Sequence, residues 1–507
     1  MAILGGPDGA ASDGGARRKL AVVTRRGDRL RRWAVIVAGG TVMSLSLAVV
    51  GAGTSGGTSP RAPWTVYHGN PEGQGDVAGP SFASATPAWT SPMLDGQLYG
   101  EPLELGGRVF VATEDDSVYA LAADSGKVLW RRHLGTPVPA RALPCGDITP
   151  TVGITSTPVV DRTRDEVFVV ADEEVSGVPA HELVGLDLRD GAVRLTRDVD
   201  PPGADTAALL QRDGLALDQG RVLIGFGGNF GDCSTYHGWL ESVPVAGSGP
   251  VDRYQVDSGS GQSQGAVWMG GAAPEVEPSG AVWFAAGNGS VTSRGGPYDG
   301  SESVNELSPS LSLEQQFAPT NWYSDNAEDR DIGSSAPALL SDGLVVQAGK
   351  SHSAYLLNAS SLGGVGGQQA QAAVCSGGDV DGGDAVSGTV VFLPCEQGLE
   401  ALQVNTSPPS LTVLWQTSTG ASGPPIVAGG LVWAMGGADL YGLDPQTGDA
   451  TVTLTVGHPA NHFPTPSVGD GLLLVDGADQ VHAFVGSAGR PGPPQTKSPK
   501  SARGPSG

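Results

Sequence analysis

The sequence predicts an all-β protein, an eight-bladed β-propeller preceded by one N-terminal transmembrane helix. Three observations predict it. Strand-like apolar runs recur with a shared turn chemistry along most of the chain. The 78 glycines and 38 prolines punctuate those runs and leave little room for long helices. One uncharged stretch near the start follows a dense basic flank.

The N-terminus comes first. Arg17, Arg18, Lys19, Arg25, Arg26, Arg29, Arg31 and Arg32 make residues 1–32 a basic segment, and residues 33–53 (WAVIVAGGTVMSLSLAVVGAG) carry no charge. As a helix this stretch spans roughly 30 Å, one hydrocarbon core. The basic flank stays cytoplasmic, so the rest of the chain lies on the extracytoplasmic side of the cell membrane. An uncleaved single-pass signal anchor is expected. The alternative is a cleaved signal releasing a secreted protein, because Gly51–Gly53 resembles a cleavage site. Residues 54–82 read as a linker.

The four cysteines, Cys145, Cys233, Cys375 and Cys395, all follow this segment. An even count outside the cell implies two disulfides. The short span between Cys375 and Cys395 pairs those two, and Cys145 with Cys233 remains. No closely spaced Cys or His pairs suit zinc. The net charge of −24 is dispersed, which argues against a nucleic-acid partner.

The repeat is clearest at Gly107–Trp130 (GRVFVATEDDSVYALAADSGKVLW), Asp165–Val193 and Gly429–Val452. Weaker copies lie at Ala281–Gly289, Gly343–Asn358, Gly388–Val404 and Gly471–Val485. Each copy reads as an antiparallel blade of β-branched and aromatic strands. The Asp124–Gly126 and Asp444–Gly448 turns supply polar caps and a positive-φ glycine, and Trp130 and Trp415 close a repeat as apolar plugs between blades. Copies begin near residues 97, 155, 209, 267, 334, 384, 422 and 461, which makes eight. The poorly matched copy from Leu209 leaves seven as the alternative count. Ser84–Met93 can supply the outer strand missing from the last copy, closing a propeller over residues 83–486; residues 487–507 read as a disordered tail.

The turns VYALAADSGKVLW (Val118–Trp130) and YGLDPQTGD (Tyr441–Asp449) resemble the repeat of pyrroloquinoline-quinone-dependent alcohol dehydrogenases. The outer-membrane assembly propeller lipoproteins share that repeat. Val267–Gly289, Tyr298–Leu311, Asp329–Leu340 and Val345–Lys350 look like the central blades of the polyvinyl-alcohol dehydrogenase-like branch. That resemblance implies pyrroloquinoline quinone and calcium as cofactors. It implies Trp268 as the floor under the quinone, Lys350 as the cation at its oxygens, and Asn288 as a calcium ligand. Glu182 is a looser match for a carboxylate ligand, and Asp331 matches a central acidic position.

Two departures accompany it. The catalytic Asp of the family aligns with Ser308, whose hydroxyl has no base beside it, and no two cysteines are adjacent. The leading expectation is therefore a membrane-anchored binding or scaffold propeller with an envelope protein partner. The alternative is a quinone- and calcium-dependent dehydrogenase of an alcohol or sugar, with Asp331 as the base. Structural roles compete at each position: blade packing for Trp268, a positive-φ turn for Asn288, carboxylate pairing for Lys350, and turn capping for Asp329 and Asp331. Tyr236, His237 and His462 read as structural.

Overall fold

A computed structural model describes residues 63–486. The basic segment, the expected membrane anchor and the C-terminal tail lie outside the described residues. Among those residues, no helix is long and apolar enough to cross a membrane.

Eight sheets of four or five strands form the blades of a propeller. Blade one shows the pattern: Leu103–Leu105, Arg108–Thr113, Ser117–Ala122 and Val128–His133 pair in sequence order, antiparallel throughout. The innermost strands of blades two to eight are Val159–Asp161, Ala216–Asp218, Glu275–Val276, Ala338–Leu340, Ala385–Ser387, Ile426–Ala428 and Ser467–Gly469. The ring closes as expected, because Thr86–Thr90 pairs antiparallel with the last strand, Gln480–Val485, and completes blade eight. Successive residues such as Val167, Phe168 and Val169 are all 0% exposed, since neighbouring blades cover both faces of a strand. Two-sided burial explains why the inner strands read as continuous apolar runs instead of alternating ones.

Adjacent blades are latched by tryptophan. Trp89, Trp130 and Trp415 sit in outermost strands and donate Nε1–H to the carbonyls of Ala123, Leu188 and Pro445 in the following blade, at 2.7, 3.0 and 3.0 Å. Each ring lies over the turn glycine of that blade. A Cβ on Gly191, at φ +66°, would stand 2.6 Å from Trp130 Cε3. The turn glycine therefore serves both a left-handed backbone and a neighbour's ring.

The copy from Leu209 does form a blade. Its inner edge is split into Leu209–Leu210 and Ala216–Asp218, both pairing with Arg221–Gly228, and residues 211–215 bulge between them. That interruption is why its repeat is hard to see.

The expected linker over residues 54–82 needs correction. Residues 64–77 form a strap lying against the innermost strands. Trp64 exchanges hydrogen bonds with Glu104 of blade one at 2.9 and 2.8 Å. The carbonyls of Thr65, Pro71, Gln74 and Gly75 accept from Val160, Val276, Val386 and Val427 of blades two, four, six and seven, at 2.8, 2.7, 2.8 and 2.7 Å. Asp76 and Val77 then add a parallel strand to blade seven. Trp64 and Tyr67 are buried there. Unpaired inner-strand edges provide the hydrogen-bonding groups that a free linker would lack.

Candidate functional site

Because each strand reverses the last, the loop leading into a blade and the loop joining its second and third strands share one face of the ring. Trp268 leads into blade four and Asp331 into blade five. Asn288 and Lys350 lie in the second-to-third loops of those same two blades. The topology thus places all four on one face, here called the funnel face.

The structure brings the four together. Lys350 Nζ is 2.9 Å from Asp331 Oδ2 and 5.0 Å from the centroid of the Trp268 ring. The backbone N–H of Asn288 donates to Asp331 Oδ1 at 3.0 Å. Lys350 also donates its backbone N–H to the Asp331 carbonyl at 2.9 Å, so one residue is gripped at both ends. Gly287 and Gly349, which precede Asn288 and Lys350, permit this approach: a Cβ on Gly287 would lie 2.8 Å from Asp331 Cβ, and one on Gly349 would overlap the Asp331 carbonyl.

Asp331 is buried while the side chain of Lys350 retains 16% exposure. Burial works against the Lys350 ammonium, but Asp331, Asp329 and Asp381 outweigh it and its pKa is raised. Asp329, 70% exposed, approaches Lys350 at 3.5 Å. Asp381, in the loop leading into blade six, has a buried Oδ1 without a hydrogen-bond partner. Burial lifts its pKa to about 7, with Lys350 acting in the opposite sense. Beneath Asp331, Glu302 accepts the Ile332 N–H at 2.7 Å, and burial holds its carboxyl well above the usual range.

A second group orients Asn288. Its Nδ2 donates to Asp232 Oδ1 and to Tyr236 OH, both at 3.0 Å, and Tyr236 donates to Asp232 at 2.5 Å. With the amide nitrogen held by two acceptors, the amide oxygen is turned elsewhere and stays available as a ligand. Asn288 also has φ +54°, so the turn role and the site role coexist in one residue. Burial raises the pKa of Asp232, with Tyr236 lowering and Asp331 raising it. The neighbouring Cys233 is bonded to Cys145, which leads into blade two, with Cα atoms 6.1 Å apart. Cys375 and Cys395 form the other expected disulfide, also on the funnel face.

The structure also places Ser308, Glu182 and His237. Ser308 lies in the turn between the third and fourth strands of blade four, on the opposite face, where Ser312 N–H donates to its Oγ at 3.1 Å. Ser308 is thus on the other side of the ring from Asp331 and Lys350. Glu182 sits opposite Ala171 and Asp198 in blade two and raises the pKa of Glu173; no contact joins it to Asn288. The carboxylates beside Asn288 are Asp232 and Asp331. His237 pairs with fully buried Asp257 at 2.8 Å, a structural role.

Sequence reasoning also passed over Asp232, Asp381, Arg212 and Phe463. The Phe463 ring packs beside Trp268 with centroids 6.2 Å apart. Only Tyr236 and His462, read as structural, marked two of these loops.

A protein-family description, Outer membrane protein assembly factor BamB, matches residues 31–228. That match spans under half of the chain and marks a repeat of the pyrroloquinoline-quinone type. Solved structures agree in fold. The propeller resembles the quinohemoprotein alcohol dehydrogenase of Comamonas testosteroni at 14% identity and a TM-score of 0.62, covering 85% of this chain and 82% of that one. A europium-containing methanol dehydrogenase matches at 13% identity and 0.61, covering 82% and 89%. BamB from Moraxella catarrhalis matches at 13% and 0.52, covering 80% and 99%. Among curated proteins none matches the propeller.

Proposed function

We propose that this propeller is an extracytoplasmic quinone-dependent dehydrogenase that oxidises an alcohol at Asp331. The observation that carries the reading is the Lys350 ammonium, 2.9 Å from Asp331 and 5.0 Å from the centroid of the Trp268 ring. A half-buried indole with a cation beside its face suits a planar ring bearing carbonyl and carboxylate oxygens. The oxygen donors of Asn288, Asp232 and Asp331 form a hard set suited to calcium, and the unpartnered Asp381 Oδ1 leaves further capacity nearby. A bound pyrroloquinoline quinone would supply the two-electron oxidant.

The chain's own residues would do the rest. Trp268 offers the stacking floor. Lys350 opposes negative charge developing on the ligand oxygens. Asp331, oriented by the Asn288 N–H and the Lys350 ammonium, takes the substrate hydroxyl proton. Asp232 and Tyr236 keep the Asn288 amide turned. The two disulfides suit an oxidising compartment outside the cytoplasm.

Titration of the protein with pyrroloquinoline quinone, with and without calcium, tests this. Calcium-dependent quenching of tryptophan fluorescence that is lost in Trp268→Ala and Asn288→Ala is the expected result. No quenching at tens of micromolar quinone would overturn it. The second reading, a membrane-anchored scaffold with an envelope protein partner, would then stand. What favours that reading is the match to the BamB description, together with a Lys350–Asp331 pair that already neutralises itself.

A further inference from the structure

Arg212 is 6% exposed, and no carboxylate lies within ion-pair distance of it among the described residues. It comes from the bulge that splits the inner edge of blade three. A buried guanidinium is costly unless its neighbours compensate. Its neighbours are two aromatic faces and a carbonyl. The guanidinium carbon is 5.8 Å from the Tyr99 ring centroid and 5.9 Å from that of Phe463, and Nη2 donates to the His462 carbonyl at 2.7 Å. The backbone of Gly271, three residues after Trp268, leaves room for it: a Cβ there would overlap Nη1.

Phe463 also packs beside Trp268, and Trp268 has Lys350 over its ring. The order Tyr99, Arg212, Phe463, Trp268, Lys350 is a continuous row of rings and cations contributed by loops from five parts of the chain. The strap supports it from within. Tyr67 OH accepts the Gly383 N–H at 3.1 Å and lies 3.2 Å from Thr465 Oγ1, which in turn donates to the Phe463 carbonyl at 3.3 Å.

We propose that Arg212 is a positioning residue that holds the Trp268 floor through Phe463, and that Tyr67 of the strap steadies the same loop. The ligand-binding consequence rests on the quinone reading given above; the effect on Trp268 does not. A planar guanidinium can lie between two rings while donating in its plane to a carbonyl, and a lysine ammonium cannot.

The test uses the full chain and the emission of Trp268 alone, obtained as the parent spectrum minus that of its Trp268→Phe derivative. In Arg212→Gln this difference spectrum should shift and become more accessible to acrylamide, while the remaining tryptophans keep their emission. Arg212→Lys should not restore it. Tyr67→Phe, which removes one hydroxyl and keeps the ring, should shift it in the same direction by less, and it carries the test if Arg212→Gln does not fold. Where the parent binds pyrroloquinoline quinone, Arg212→Gln should raise Kd by about tenfold. A difference spectrum unchanged in the folded variants overturns the proposal, as does a shifted spectrum with an unchanged Kd. If the parent binds no quinone, the dehydrogenase reading falls and the positioning role is judged on the spectrum by itself.

Discussion

Lys350 meets Asp331 twice, through its ammonium at 2.9 Å and through its backbone N–H at 2.9 Å. The backbone contact survives any side-chain substitution, so variants at these two positions separate charge from geometry. Asp331→Asn should lower kcat for dye-linked alcohol oxidation by about a hundredfold or more, with quinone Kd changed only a few-fold. Lys350→Met should raise quinone Kd and leave Asp331 buried without its cation, lowering the melting temperature as well. Parallel titration, turnover and melting measurements check both.

Ser308 provides the control. It lies on the opposite face, hydrogen-bonded within its own turn. Ser308→Asp and Ser308→Ala should each leave quinone binding and turnover within about twofold and change stability by no more than about 0.5 kcal/mol.

The tryptophan latch predicts a contrast between two glycines of similar φ. Gly191→Ala combines φ +66° with a Cβ 2.6 Å from Trp130, whereas Gly220→Ala has φ +80° and no atom within 4 Å. Denaturant melts should show the first variant losing about 3 kcal/mol and the second about 1 kcal/mol.

Asp116 predicts the pH dependence of stability. It is fully buried and neither carboxylate oxygen has a partner. Burial, followed by the charges of Glu173, Asp172 and Glu114, raises its pKa from 3.8 to about 9. The folded state therefore holds this proton more tightly than the unfolded chain. Its contribution is full below pH 3.8 and is lost as pH rises through about 9. The melting temperature should fall over that window, and Asp116→Asn should flatten the decline. A slope identical to that of the parent would show that Asp116 is not its source.

The disulfides close sequence separations of 88 and 20 residues. Chain entropy alone assigns about 4.5 kcal/mol to Cys145–Cys233 and about 3 kcal/mol to Cys375–Cys395. Double serine variants compared by denaturant melts should keep that order. Loss of the first should also weaken calcium-dependent quenching, since Asp232 adjoins Cys233 and fixes Asn288.

Much of the molecule was legible in its residues. A repeat unable to bury two faces alone implies a ring, so the eight copies and the closing segment at Ser84–Met93 followed from local pattern, and both disulfide pairs from count and spacing. Trp268, Asn288, Asp331 and Lys350 were recognisable because each sits beside a motif glycine or blade strand whose local geometry is encoded nearby. Ser308, on the other face of the ring from Asp331, shows the limit of that signal. Similar turns occur on both faces of a propeller, and strand direction decides which face a turn occupies.

What only the tertiary structure decided lies where the ring joins distant segments. Arg212 reaches a carbonyl 250 residues away, and Tyr67 contacts Thr465 across 398 residues. No local periodicity encodes such meetings. The strap looked like a linker because its partners are the open edges of five blades, which exist only once those blades have closed. Local sequence thus determined the blades and the turns that carry the site. Radial closure decided which loops face one another, because it alone sets the distances between residues far apart along the chain.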